Sequence, residues 1–147
     1  MKRLVMVVAS LVSGCSAPPE TPPAVVTCTS DERVTAWRSG LTASASELVV
    51  TLIQADPSPP ARGTNVWRVT ATDSSGAALK DATLTVTAFM PDHGHGTSVT
   101  PLIEPTGAGA WTVSQLDLFM PGVWRVAFTA TTPDKVAEVA FFFCIAG

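Results

Sequence analysis

The sequence predicts an all-β protein, an immunoglobulin-like antiparallel β-sandwich of about seven strands. Apolar and polar residues alternate in several short segments, turn-forming residues separate these segments, and no segment has a convincing helical pattern. Each such strand has one apolar face, which it can bury only against another sheet. The hairpin-sized spacing between the segments favours antiparallel strands over a parallel α/β fold.

Six segments carry the alternating pattern. In 82–90, threonines at positions 83, 85 and 87 alternate with small or apolar residues, which we expect to face the core. The other segments are 47–55, 66–72, 110–116, 122–131 and 136–145. The proline-rich loop 57–63 and the Asp-Ser-Ser-Gly turn at 73–76 separate neighbouring strands. Residues 30–37 have at most the pattern of one helical turn.

The composition limits the classes of function. The 147 residues suffice for one domain and little more. Charged residues make up 14% of the chain, against roughly 25% in an average soluble domain. A net charge of −3 argues against nucleic-acid binding, which needs a basic surface. No internal stretch reaches the ~20 apolar residues that a membrane-spanning helix requires.

The amino-terminal residues have the pattern of a bacterial lipoprotein signal. Two basic residues precede the apolar stretch 4–12, and Val-Ser-Gly-Cys at 12–15 fits the lipobox. Its small residues admit the signal peptidase, and the free thiol receives the diacylglycerol. An ordinary secretory signal with an incidental cysteine is the alternative. We expect residues 1–14 to be removed and Cys15 to be lipidated, so that the protein is anchored to a membrane.

Residues 15–26 are predicted to form a tether between the lipid and the domain at 27–147. Four prolines and several polar residues make this stretch unable to pack, so it should be extended. Ser16 follows the lipidated cysteine in place of the Asp that retains lipoproteins in the inner membrane. The predicted location is therefore the cell envelope, facing the periplasm, with the outer membrane favoured in a Gram-negative cell.

Two cysteines, Cys28 and Cys144, remain if Cys15 is lipidated. An exported chain enters an oxidising compartment, so we expect these two to form a disulfide that joins the ends of the domain. Two separate buried thiols are the alternative. A thiolate metal site is disfavoured because the sequence has no CxxC spacing.

Both histidines of the chain stand within the segment Met-Pro-Asp-His-Gly-His-Gly at 90–96, and a second Met-Pro corner occurs at 120–121. Glycines keep the first segment open, so both imidazoles can turn toward one point. Imidazole and thioether donors together suit a soft ion such as Cu(I). The candidate Cu(I) ligands are Met90, His93, His95 and Met120. In the alternative interpretation Met90 is a core residue and the histidines only shape a loop.

The two corners also resemble a known family. Met-Pro-Asp-His-Gly-His-Gly at 90–96, Gly-Ala-Gly-Ala-Trp at 107–111 and Phe-Met-Pro-Gly-Val-Trp at 119–124 are similar, in this order, to the motifs of FixH-like and YtkA-like domains. The resemblance extends over residues 64–143. The chain departs from the family pattern at 77–82, which replaces a Pro-Val-x-Gly-Ala step, and at a Trp where the family tends to have Tyr.

The resemblance implies a small immunoglobulin-like sandwich that is tethered to a membrane outside the cytoplasm. Some members of the family are linked to copper delivery or to cytochrome oxidase maturation. The implied partners are therefore copper-trafficking or oxidase-assembly proteins, in addition to the membrane that the lipid anchor contacts. In this chain, a predicted lipid anchor replaces the transmembrane anchor of FixH proper. This difference weakens the case that the protein docks to a pump embedded in the membrane.

Two functions follow from these patterns. The first is an exported lipoprotein that binds or delivers Cu(I) in the cell envelope. The second is a metal-free protein–protein binding module, in which any exposed tryptophan would anchor the interface. An enzyme is not expected, because no Ser or Cys nucleophile is evident beside the histidines and a zinc site would want a third ligand.

Replacement of Cys15 tests the anchor. Cys15→Ser removes the thiol that accepts the lipid, so the protein should leave the membrane fraction or accumulate with its signal uncleaved. Fractionation and mass spectrometry of the amino terminus measure both effects. Normal cleavage with unchanged membrane retention would contradict the lipoprotein assignment.

Overall fold

Buried and exposed side chains alternate along the strands, and the chain folds into two stacked antiparallel β-sheets. The structure is a computed structural model that describes residues 28–79 and 81–147. The predicted signal peptide, Cys15 and the tether lie outside the described residues. The strands of the domain are β1 Leu41–Ala45, β2 Leu48–Asp56, β3 Gly63–Thr72, β4 Thr83–Met90, β5 His95–Gly96, β6 Leu102–Gly107, β7 Ala110–Leu118, β8 Gly122–Thr131 and β9 Val136–Ile145. The described residues contain no helix that is long and apolar enough to cross a membrane.

The predicted all-β sandwich is confirmed. One sheet has the strand order β1-β2-β3-β7-β6 and the other the order β5-β4-β8-β9. Without β1 and β5, the two sheets have the strand order of an immunoglobulin constant domain, four strands packed on three. The count of about seven therefore matches the common strands of this fold, and β1 and β5 are additions to it.

The expected inner faces are buried. In β4 the threonines are exposed, whereas Leu84, Val86 and Ala88 are buried. Trp67 and Phe128 are fully buried between the sheets, with their rings stacked at 6.4 Å. Burying a side chain such as that of Phe128 contributes about 2 kcal/mol. The indole nitrogen of Trp67 is buried without a hydrogen-bond partner. Trp67 therefore stabilises the core through the apolar surface that it buries.

The alternation changes phase in β7, which the sequence pattern did not reveal. Gln115 has a φ of 56°, and the register between β3 and β7 shifts between Asn65 and Trp67. This bulge lets Val113, Leu116 and Leu118 all face the core. The strand therefore extends to Leu118 rather than ending at 116.

The outer edge of β9 is covered by residues 28–37, called the amino-terminal segment below. The structure contains the predicted disulfide between Cys28 and Cys144, whose Cα atoms are 5.3 Å apart. The Thr35 amide donates a hydrogen bond of 2.9 Å to the carbonyl oxygen of Phe142 in β9. The Trp37 ring then packs on the core 5.7 Å from that of Trp67. The edge is thus closed to pairing with another chain along this stretch.

Removal of the disulfide should destabilise the domain. The bond joins residues 116 positions apart, and a loop of this length is worth about 4–5 kcal/mol in the chain-entropy model. The Cys28→Ser/Cys144→Ser variant should therefore unfold at lower denaturant concentration. Thiol labelling of the denatured, unreduced protein should find neither residue, and prior reduction should expose both. Stoichiometric labelling of both without reduction would contradict the bond.

Candidate metal site

A tight hairpin between β4 and β5 carries both histidines. The carbonyl oxygen of Met90 accepts hydrogen bonds from the amides of His93, at 3.2 Å, and Gly94, at 2.9 Å. Gly94 has a φ of 70°, a conformation that favours glycine because it has no Cβ. The turn places His93 at the exposed tip and returns the chain so that His95 pairs with Met90.

The second glycine of the motif holds His95 in place. A Cβ on Gly96 would lie 2.7 Å from the carbonyl oxygen of Ala88, so only glycine allows β5 to approach β4 this closely. Directly paired residues of antiparallel strands project to the same side of a sheet. Because Met90 faces the core, the half-buried side chain of His95 also faces the inner side, at the rim of the sandwich.

The second Met-Pro corner lies at the same end of the sandwich. β4 ends at Met90 and β8 begins at Gly122, and these ends are neighbours because the two strands pair antiparallel. A Cβ on Gly122 would lie 2.7 Å from Met90 Cε and 4.0 Å from His93 Nε2. The missing side chain therefore leaves room for the methionine, and both groups lie within a few ångströms of one point.

Aromatic rings connect the imidazoles to the core. The His93 and His95 rings are 5.6 Å apart and nearly perpendicular. His95 stacks on Phe119 at 5.7 Å, and Phe119 meets the edge of buried Trp124 at 5.6 Å. The indole nitrogen of Trp124 donates a hydrogen bond of 2.8 Å to the carbonyl oxygen of Met120. The backbone of the second corner is thereby fixed beside the imidazoles.

The structure brings the four predicted ligands to one end of the sandwich, at different depths. His93 is exposed, His95 and Met120 are half-buried, and Met90 is fully buried, so its side chain reaches the corner from the core. Among the residues that the structure describes, no three His, Cys, Asp or Glu side chains are grouped closely enough to hold a metal ion. The donors that are present are imidazoles and thioethers, the set that fits a soft ion.

The carboxylate of the motif is already paired. Asp92 Oδ1 accepts from Arg33 Nη1 at 2.8 Å, and Asp92 Oδ2 accepts from Nη2 at 2.7 Å. The same guanidinium donates to Asp31, and it lowers the pKa of Asp31 to about 2 and that of Asp92 below its ordinary range. Sequence reasoning missed Arg33, because a contact across 59 residues leaves no local pattern.

The model of the YtkA-like family matches residues 42–129. The match begins earlier than the motifs indicated and ends within β8. No curated protein matches the sequence. Among solved structures, FetP of the uropathogenic E. coli strain F11 is similar at 11% identity and a TM-score of 0.49, over 76% of this chain and 97% of that chain.

The matched residues make up more than half of the chain and contain both Met-Pro corners with Met90, His93, His95 and Met120. This protein belongs to the YtkA-like family.

Proposed function

We propose that this protein is an exported lipoprotein that binds Cu(I) outside the cytoplasm and holds it or passes it to another protein. One observation carries the proposal. Two corners that are distant in sequence meet at Gly122, where the Met90 methyl group and the His93 Nε2 approach the same point. A binding protein, rather than an enzyme, is the class that this arrangement supports.

The donors and their surroundings favour Cu(I) over harder ions. Thioether sulfur is a ligand for Cu(I), whereas Mg²⁺ and Ca²⁺ take oxygen ligands. The carboxylate of the motif, Asp92, is paired with Arg33. Phe119 and Trp124 form an apolar wall behind His95, and such a wall limits the access of water to a bound ion.

The graded burial of the ligands suits transfer as well as storage. Met90 would hold the ion from the core, while His93 at the tip of the hairpin remains open to solvent. An acceptor protein can therefore replace the exposed ligand first. Copper-trafficking or oxidase-assembly proteins are the partners that we propose for this step.

The described chain begins at the same end of the sandwich as the candidate site. Cys28 is bonded to Cys144, and Cys144 pairs with Val123, the residue that follows Gly122. With a lipid on Cys15, the tether would join the domain at the end that carries the candidate site. This placement suits exchange with a membrane-associated partner.

The alternative, a metal-free binding module, keeps one supporting observation. Val99 and Leu102, before and within the edge strand β6, are 37% and 47% exposed. The tryptophans give it no support, because Trp67 and Trp124 are fully buried and Trp37 and Trp111 are half-buried. An interface would therefore lack the exposed tryptophan that we expected as its anchor, and Phe89, at 39% exposure, is the exposed aromatic residue among those that the structure describes.

A double substitution tests the histidines. His93→Ala/His95→Ala removes two of the proposed ligands and should weaken Cu(I) binding by on the order of a hundredfold or more. Loss of a contact that only supports a ligand weakens metal binding by about 10–100-fold. The free energy of unfolding should change by no more than about 2 kcal/mol, because His93 is exposed and His95 loses only a half-buried stacking contact with Phe119. The full-length protein in detergent is titrated with Cu(I) against a competing chelator, with ascorbate as reductant so that the disulfide stays intact.

The control is Ser98→Ala/Thr100→Ala, two exposed residues of the following connection, which should bind Cu(I) like the unaltered protein. Equal affinity of the histidine variant and the unaltered protein, or outright unfolding of the variant, would make the histidines structural.

Leucine substitutions test the thioethers separately. Met90→Leu and Met120→Leu keep side-chain volume and apolar packing, so each should change the free energy of unfolding by less than about 1.5 kcal/mol. Each removes one sulfur and should weaken Cu(I) binding at every pH. The same chelator competition, with urea unfolding as the control, measures both quantities. Unchanged Cu(I) affinity in both variants would remove the methionines from the ligand set.

A further inference from the structure

We propose that Arg33 determines the metal selectivity of the candidate site by holding the Asp92 carboxylate away from the imidazoles. The inference rests on the proposed function, because it concerns which ion the same corner accepts. Without Arg33, Asp92 would add a hard oxygen donor beside His93 and His95. Two imidazoles and a carboxylate form a frequent Zn(II) ligand set.

The pairing engages both oxygens of the carboxylate. Both oxygens of Asp92 accept from the two terminal nitrogens of Arg33, at 2.8 and 2.7 Å. This parallel arrangement is the geometry in which a guanidinium holds a carboxylate most firmly, and a lysine cannot reproduce it. The other side of the guanidinium donates to Asp31 through Nε at 2.9 Å and through Nη2 at 2.6 Å.

Arg33 is held in position by the amino-terminal segment. The Asp31 amide donates to the carbonyl oxygen of Cys28 at 3.2 Å, and Cys28 is fixed to β9 by the disulfide. On the other side of Arg33, the Thr35 amide is bonded to Phe142 of β9. The backbone on both sides of Arg33 is therefore already fixed, so the guanidinium is not carried by a freely moving segment. The family model matches residues 42–129, and each of these contacts involves at least one residue outside that range.

The turn does not by itself keep Asp92 away from the histidines. Successive side chains point to opposite faces in a strand, but residues 91–94 form a turn between β4 and β5. Asp92 directly precedes His93 in this turn. The contact with Arg33 is the interaction that the structure provides to fix the direction of the carboxylate.

The stability of the domain does not explain the pair. The Arg33 and Asp92 side chains are 39% and 51% exposed, and ion pairs at such exposure contribute little to folding. Removal of Arg33 should therefore change metal selectivity much more than it changes stability. This difference separates a role in selectivity from a structural role.

The test compares Arg33→Gln with the unaltered full-length protein. Zn(II) and Cu(I) affinities are each measured in detergent by competition with a chelator of known affinity. Arg33→Gln should raise the ratio of Zn(II) to Cu(I) affinity by on the order of tenfold to a hundredfold, the range over which neighbouring contacts tune metal binding. Its thermal midpoint, followed by circular dichroism, should fall by less than about 5 °C.

The matched control is Arg33→Gln/Asp92→Asn, which lacks the cation and also the carboxylate. It should return the ratio to that of the unaltered protein. An unchanged ratio in Arg33→Gln would overturn the inference, as would a raised ratio that persists in the double variant, because loss of the charge alone would then be the cause. Arg33→Lys is a second variant that keeps the charge and should give an intermediate ratio; a ratio equal to that of the unaltered protein would count against the bidentate contact.

The two proposals fail differently. Cu(I) titration of the unaltered protein decides whether the corner binds copper. The difference in Zn(II) affinity between Arg33→Gln and the double variant decides the role of Arg33, and it can be measured whatever the result of the Cu(I) titration.

Discussion

The antiparallel pairing of β4 with β8 is the constraint on which the candidate site depends. It sets Phe89 opposite Arg125 and so brings the end of β4 beside the start of β8. A slip of one residue would turn Met90 out of the core and separate it from Gly122, since neighbouring residues of a strand face opposite sides. The buried face of β4 opposes such a slip, because Leu84, Val86 and Ala88 would all become exposed. Core packing and site geometry are therefore secured by the same register.

Much of this architecture can be predicted from the sequence, because a sandwich records its buried faces as alternation. The buried face of β4 was predicted correctly, and the predicted segments 47–55, 66–72, 122–131 and 136–145 correspond to β2, β3, β8 and β9. The strands missed are those without that signal. β1 is short and rich in small residues, β5 has only two residues, and β6 is mostly exposed and contains Pro105. The meeting of the two Met-Pro corners was predictable as a possibility from their places at strand ends.

The contacts that local patterns do not record are those between distant segments. Arg33 pairs with Asp92, which lies 59 residues away in the sequence, and no periodicity or motif indicates the pair. The close approach at Gly122 is similar in kind, because a glycine at the start of a strand does not reveal which side chain will occupy the space it leaves. Sequence reasoning identified the candidate donor atoms, whereas the groups that surround these candidates required the structure.

The amino-terminal segment lies along the outside of β9 and contributes one large side chain, Trp37, to the core. The sandwich itself is built from β1 to β9 and does not pass through this segment. Substitutions there are therefore less constrained by packing than substitutions in the strands. In related proteins, this segment could diverge while the two Met-Pro corners stay the same. Under the role proposed for Arg33, evolution could then adjust the ion preference of such a domain by exchanging a peripheral piece of chain, without rebuilding the fold that presents the ligands.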